Sequence, residues 1–465
     1  MSIILKIVAV FTSILFSLAG VNESVIGYTD GTPIKATRQE YSFDNNRLLI
    51  GAYYAEKGKM KEASEAGIDF FITNNVDSEM LDEANEYNIG IIAAGYNLQS
   101  AYGTFSDEQK NHWVNFNYAS DYKDHPALWG DDLIDEPNSE SYENISAAVN
   151  AYYANKPGKI TLVNLFPNYA DNEQLTETPD LSGWSEFMLL ANSQSKGNVV
   201  RYKKYISNYI NTIDTDYISL DFYPYFQKQD GDKIVYYTSE NWIRNLDVVA
   251  EACRETGRDF WIITQAAGET LSGKDGESCP RYCDNVETIS QQAYASLAFG
   301  AKAIIHAEFA PRGWWDAATS HMIDSQGNTT KTYDSVKEVD SYLDVFAVEY
   351  GKYDYTSTYR INPSRIAGET VGKLAVAKSE EAINLKTSNG IIVGSFTGKN
   401  SADGKAYVIT NMEELANEVT ASVTYTVPAG KTATIYKQGK TAVLNSGEKT
   451  TLTLAPGEGV FMTVK

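Results

Sequence analysis

The chain has 465 residues, 43% of them hydrophobic and 22% charged, which is enough for one large core and a smaller module. Acids outnumber bases 61 to 39, and a formal charge of -22 excludes nucleic acid and other polyanions as expected partners while leaving a neutral ligand unopposed. Aromatic residues reach 12%, with 32 tyrosines; most such rings fill core or surface, but the supply suits flat, amphipathic ligands.

The first residues, "MSIILKIVAVFTSILFSLAG", place Lys6 ahead of an apolar run from Ile7 to Leu18, followed by the small pair Ala19 and Gly20. That order predicts a secretory signal peptide over residues 1–19 and a secreted or cell-surface protein, with an uncleaved anchor as the alternative because Ile3, Ile4 and Leu5 lengthen the run. Residues 20–47 read as an N-terminal extension.

From Leu48 onward, short apolar runs alternate with longer segments of helical period. The runs are "LLIGAYYA", "DFFITNN", "IGIIAAGY", "WGDDLIDEP", "KITLVNLFPN", "YISLDFYPY", "DFWIITQAAG" and "AKAIIHAEFAP". Eight strand and helix pairs predict a parallel (β/α)8 barrel over residues 48–352, since each parallel strand needs a crossover helix. From about Tyr353 the texture changes to short alternating strands separated by turn residues, which predicts a small antiparallel β-sandwich over 353–465 with no catalytic cluster.

In such a barrel, chemistry gathers where the strands end at their C-terminal side. The fourth strand ends in "GDDLIDEPN", four acids within six positions closed by Pro137. Adjacent Asp135 and Glu136 repel one another, which raises the proton affinity of one carboxyl and suits a general acid near neutral pH. Asp131 and Asp132 read as a solvated or ion-paired strand start. The fifth strand brings Asn164 to the same mouth, the sixth Asp221 with Tyr223 and Tyr225, the seventh Gln265, the eighth Glu308. Tyr53 and Tyr54 close the first strand, and Trp314 and Trp315 follow the eighth. Carboxylates for proton transfer, amides for hydroxyls and rings for the apolar faces of sugars together point to carbohydrate chemistry.

The motifs "IDEP", "NLFPNYA", "SLDFYPY" and "GNTTKTYDSVKEV" resemble those of the (β/α)8-barrel glycoside hydrolases related to clan A, especially secreted β-galactosidase-like and β-glucanase-like members. The resemblance spans roughly residues 48 to 350 and implies a glycosidase in which Glu136 is the acid/base. The clan's Asn before that Glu is Asp135 here, and its nucleophilic Glu at the end of the seventh strand is replaced by Gln265. The second carboxylate is therefore Glu308, Asp221 or Glu269, and the separation of the pair decides between retention, at about 5 Å, and inversion, at roughly 6.5–9.5 Å. Asp135 and Glu136 side by side also resemble the substrate-assisted β-hexosaminidases, in which the Asp orients an acetamido group and a tyrosine such as Tyr223 or Tyr225 supports it. A third reading, kept open by Gln265, is a non-catalytic carbohydrate-binding protein on the same scaffold.

No phosphate loop, dinucleotide fingerprint or metal-ligand spacing is present, so no cofactor, metal or stable protein partner is implied beyond the carbohydrate substrate. Cys279 and Cys283 bracket "CPRYC" and read as a loop staple, with Cys253 a single thiol.

Overall fold

The computed structural model describes residues 26–32, 46–94, 124–155, 158–175, 199–230, 233–268, 282–311, 321–368 and 385–465. The signal-peptide segment, Glu269, Cys279, Trp314 and Trp315 lie outside the described residues. Among the described residues no helix is long and apolar enough to cross a membrane.

Strand β1 (Thr29–Asp30) comes first and belongs to the C-terminal sheet. The next strands are β2 (Leu49–Tyr53), β3 (Phe70–Thr73), β4 (Gly90–Ala93), β5 (Leu128–Asp135), β6 (Ile160–Leu165) and β7 (Tyr217–Phe222). An antiparallel hairpin, β8 (Tyr225–Asp230) and β9 (Lys233–Thr238), follows; the hydrophobic pattern does not announce it. Then come β10 (Asp259–Gln265) and β11 (Ala301–Ala307). The order β10-β11-β2-β3-β4-β5-β6-β7 closes on itself through parallel β7 and β10, so the predicted eight-stranded barrel is present.

The helices that cover it include α1 (Met60–Ala66), α2 (Ser78–Glu86), α3 (Tyr142–Asn155), α4 (Val199–Thr212), α5 (Trp242–Thr256), α6 (Val286–Ala298) and α7 (Lys331–Asp344). Each presents an apolar face to the outward side chains of the strands, as Tyr205, Leu246, Leu297 and Val339 do.

The inward side chains form a separate core. In its deeper layers the Phe70 ring lies 5.9 Å from Trp129 and 5.5 Å from Trp261, and Trp261 stacks on Tyr217 at 4.6 Å. Space for these rings comes from glycine: a Cβ on Gly51 would stand 2.5 Å from the Phe70 ring, and one on Gly90 would stand 2.2 Å from Trp129. The barrel is plugged by aromatics, and any ligand site must lie above them.

The C-terminal region holds β12 (Tyr353–Ile361), β13 (Ile391–Gly398), β14 (Lys405–Asn411), β15 (Ala421–Thr426), β16 (Ala433–Lys437), β17 (Lys440–Leu444), β18 (Lys449–Leu454) and β19 (Gly459–Val464). Seven strands form one sheet in the order β1-β17-β16-β19-β14-β13-β12, and β15 pairs with β18 as a second layer. Alternation assigns the faces: Ile392, Phe396, Val408 and Phe461 join the core around the barrel, while Val393, Ile409 and Met462 pack with Val423, Tyr425 and Leu452 of the second layer. The predicted barrel followed by a β-sandwich is the observed architecture. Helix α6 lies directly on the large sheet, where Gly394 meets the Ala298 carbonyl and Gly459 meets the Tyr294 ring, positions a Cβ would occupy.

The loop staple is corrected. Cys283 is a buried free thiol that donates to the Gln265 carbonyl at 3.1 Å and accepts from Gln292 Nε2 at 3.2 Å.

Candidate active site at the C-terminal mouth of the barrel

Two irregularities in β5 decide which acids face the axis. Ile91 pairs with Leu128 but Ile92 with Gly130, and Asp132 pairs with Leu162 but Ile134 with Val163, so one residue is inserted at each place. Asp131 consequently points at the helical layer, where its Oδ2 accepts from Tyr152 of α3 at 2.5 Å. Asp132 and Asp135 turn inward; both contribute to raising the Tyr53 phenol above its ordinary range, after burial. Neither Asp131 nor Asp132 is a solvated strand start: both are buried.

A small cleft opens at the C-terminal ends of the strands, lined by Tyr53, Tyr54, Asp135, Asn164, Asp221, Tyr223, Ile263, Ala307 and Glu308. Seven of these were expected at the mouth from the sequence: Tyr53, Tyr54, Asp135, Asn164, Asp221, Tyr223 and Glu308. In the ring of strands β5 and β11 stand four steps apart, so Asp135 and Glu308 approach the cleft from opposite walls. Glu308 is 5% exposed, follows β11 directly, and has the His321 ring 3.5 Å from its Oε2. Its neighbour Phe309 donates its backbone N–H to Tyr53 O at 2.9 Å, tying the eighth wall to the first.

The opposite wall is organised by one amide. Asn164 Nδ2 donates to Asp135 Oδ1 at 2.9 Å and to Asp221 Oδ1 at 3.1 Å, while its Oδ1 accepts from Ser219 Oγ at 3.0 Å. Two carboxylate acceptors on one side and a hydroxyl donor on the other fix the orientation of the amide. Burial nevertheless holds the Asp135 carboxyl above its usual range against the Asn164 bond, and Asp132 beneath it is raised well above by burial and then by the charges of Asp135 and Asp131. This wall stores protons more readily than an exposed carboxylate does.

Glu136 occupies the rim. Its N–H donates to the Asn164 carbonyl at 2.8 Å, its φ of 49° lies in the left-handed region, and its side chain is half-buried beside the charge-sensitive Tyr205 phenol. A left-handed glutamate breaks the in-and-out alternation of the strand, a conformation that proteins concentrate at functional sites.

Three expected members are absent from the cleft lining: Glu136, whose charge acts on Tyr205 of α4 in the helical layer, Gln265 and Tyr225. Gln265 is fully buried; its Oε1 accepts from the Tyr225 N–H at 3.1 Å and its Nε2 donates to the Tyr225 and Ala267 carbonyls, both at 3.3 Å, so its amide serves the backbone. Tyr225 is turned away after Pro224, its hydroxyl donating to Gln291 Oε1 at 2.8 Å. Trp314 and Trp315 lie outside the described residues. Asp132 and His321 are the neighbours the sequence did not single out; Asp132 depends on the insertions in β5, and His321 reaches Glu308 across a loop with no spacing signal. Among the described residues no group of three His, Cys, Asp or Glu side chains is arranged to hold a metal ion.

No protein-family model and no curated protein matches the chain. Solved structures do. A protein described as a glycoside hydrolase is 10% identical, with 91% of this chain and 96% of that chain covered at a TM-score of 0.50. The likeness is one of fold. A glycoside hydrolase family 5 protein from Bacteroides vulgatus is 11% identical over 90% of this chain and 89% of its own, with a TM-score of 0.48. A β-galactosidase from Bacillus circulans sp. alkalophilus is 10% identical over 90% of this chain and 99% of its own, at 0.42.

Proposed function

We propose that the protein is a glycoside hydrolase that cleaves O-glycosidic bonds by carboxylate acid/base catalysis in this cleft. The observation that carries the reading is the placement of carboxyl groups on opposite walls of one small mouth, Asp135 and Asp221 on one side and Glu308 on the other. A sugar ring seated in the cleft meets Asp135, Asp221 and Asn164 as partners for its hydroxyls and Tyr53 and Tyr223 as ring surfaces. Glu136, next to Asp135 just past the end of β5, is assigned as the acid that protonates the leaving oxygen; its half-buried position supports that role. Glu308 then acts from the far wall as nucleophile or as base for water, replacing the strand-seven carboxylate that Gln265 does not supply. The apolar run behind Lys6 supports export to the cell exterior as the setting.

A panel of aryl and oligosaccharide glycosides tests this. Glu136→Gln is expected to lose roughly 10²- to 10⁴-fold in kcat on substrates with a poor leaving group and far less on dinitrophenyl glycosides, which need no protonation. Equal losses on both would remove Glu136 from the role of acid. Binding of oligosaccharides without turnover by the wild type would establish the non-catalytic reading.

A second reading rests on Asp135 and Tyr223 lining the same cleft, the pair that a substrate-assisted mechanism uses to hold an acetamido group. Turnover confined to N-acetylated sugars, with Asp135→Asn as damaging as Glu136→Gln, would select it.

A further inference from the structure

The hairpin β8–β9, the start of α6 and the turn after β14 line a second groove, separate from the cleft. Its walls carry five rings: Tyr225, Phe226, Tyr236, Tyr237 and Tyr282. Phe226 stacks on Tyr237 with centroids 5.6 Å apart, and Tyr236 leans on Tyr282 at 5.0 Å, with Tyr236 43% exposed. The polar groups of the lining include the carboxylates Glu287, Glu414 and Glu418, and among the described residues it contains no Lys, Arg or His.

That combination selects for a ligand. Rings offer flat apolar surface, carboxylates accept hydrogen bonds from hydroxyls, and three negative charges reject anions. A neutral polyhydroxylated chain satisfies all three conditions; a phosphate, a nucleic acid or an acidic glycan satisfies none of the last. The groove is also built in advance. Gln291, which accepts from the Tyr225 hydroxyl, donates through Nε2 to the carbonyls of Asn411 at 3.2 Å and Glu413 at 3.1 Å, pinning barrel to sheet domain, and the Tyr282 N–H donates to Tyr225 O at 3.1 Å. Tyr223 lines the cleft and Tyr225 lines the groove, so only two residues, a span of at most roughly 7 Å of backbone, separate the two walls.

We propose that this groove is an accessory binding site for a stretch of neutral glycan chain, which would make the substrate a polymer or long oligosaccharide held in groove and cleft at once. The proposal rests on the glycosidase reading for the identity of the chain, not for the existence of the site. Tyr236→Ala and Tyr282→Ala are the probes, with Tyr236→Phe as the control that keeps the ring; thermal unfolding of each checks that the fold survives.

Measured on a soluble neutral polysaccharide, either alanine variant is expected to raise KM about tenfold with kcat little changed, whereas a short aryl glycoside is hydrolysed as by the wild type and Tyr236→Phe behaves as wild type on both. In a Glu308→Gln background, which keeps the ligand uncut, retardation of the protein in polysaccharide-containing gels is expected to weaken by a similar factor. Unchanged polymer hydrolysis and unchanged retardation in both alanine variants would overturn the groove while leaving the active site standing. If the wild type cleaves no glycoside, the functional reading falls and the gel alone decides: retardation weakened by the alanines upholds the groove, and retardation absent or indifferent to them overturns it.

Discussion

The lower and upper inward layers of the barrel are made by the same strands and could hardly differ more. Below, Phe70, Trp129, Tyr217 and Trp261 interlock in an apolar plug fitted around Gly51 and Gly90. Above, toward the C-terminal ends of the strands, Asp135, Asn164, Asp221 and Glu308 crowd three carboxyl groups around one amide, all but Asp135 buried. The plug contributes stability through burial and close contact. The upper layer spends some of that stability to hold acids whose repulsion and desolvation are unfavourable for folding and useful for proton transfer.

Substitutions on either side of that boundary test it. Glu308→Gln in the upper layer is expected to lower kcat by roughly ten-thousandfold while leaving the unfolding temperature unchanged or higher, because a buried charge is replaced by a neutral amide of the same shape. A large fall in stability with modest loss of activity would place Glu308 in the scaffold instead. Next, Trp261→Ala in the lower layer is expected to cost about 3–5 kcal/mol of unfolding free energy in denaturant titration, with activity per folded molecule nearly retained. Loss of activity without loss of stability would mean the plug shapes the cleft directly.

Asn164→Ala sits on the boundary itself. Removing the amide that donates to both Asp135 and Asp221 is expected to lower kcat/KM about a hundredfold and to move the titration of the cleft acids to higher pH, since their ionised forms lose a donor. A pH profile unmoved from that of the wild type would deny the bridge any electrostatic part.

A further effect, confined to pH dependence, concerns Asp131, turned to the helix side, whose carboxyl burial pushes from 3.8 up to about 8. Its folded form keeps a proton that the unfolded chain has already released above pH 4, so its contribution to stability declines as pH rises from about 4 and levels off past about 8. Asp131→Asn, which still accepts from Tyr152, is expected to flatten that decline in unfolding free energy measured across the same window. An identical slope in both proteins would show that other groups produce it.

The accessory layer was legible at coarser grain than the barrel. Alternating runs such as "KAYVITNM" announced strands, but not that β1, far upstream, would add to the sheet edge opposite Thr441 and Lys440. In the barrel, the eight runs marked eight strands because fully buried parallel strands must be apolar along nearly their whole length. The mouth residues Asn164, Asp221, Tyr223 and Glu308 were legible for a related reason: polar side chains that end an apolar run sit where the run emerges. Gln265 and Tyr225 met the same criterion and fail it in three dimensions, because backbone groups of the β8–β9 hairpin claim the one and Gln291 claims the other.

The amino-acid order by itself determined the cylinder, its sheet-like companion and the strand ends at which acids would gather, since hydrophobic periodicity and burial follow directly from side-chain type. Only the tertiary structure decided which of Asp131, Asp132, Asp135 and Glu136 faces the axis, and that the carboxylate across from them is Glu308. The physical reason is that inward and outward alternate with every residue, so the first insertion in β5 swaps Asp131 and Asp132 and the second returns Asp135 to the inward side, and neither leaves a trace in composition or spacing.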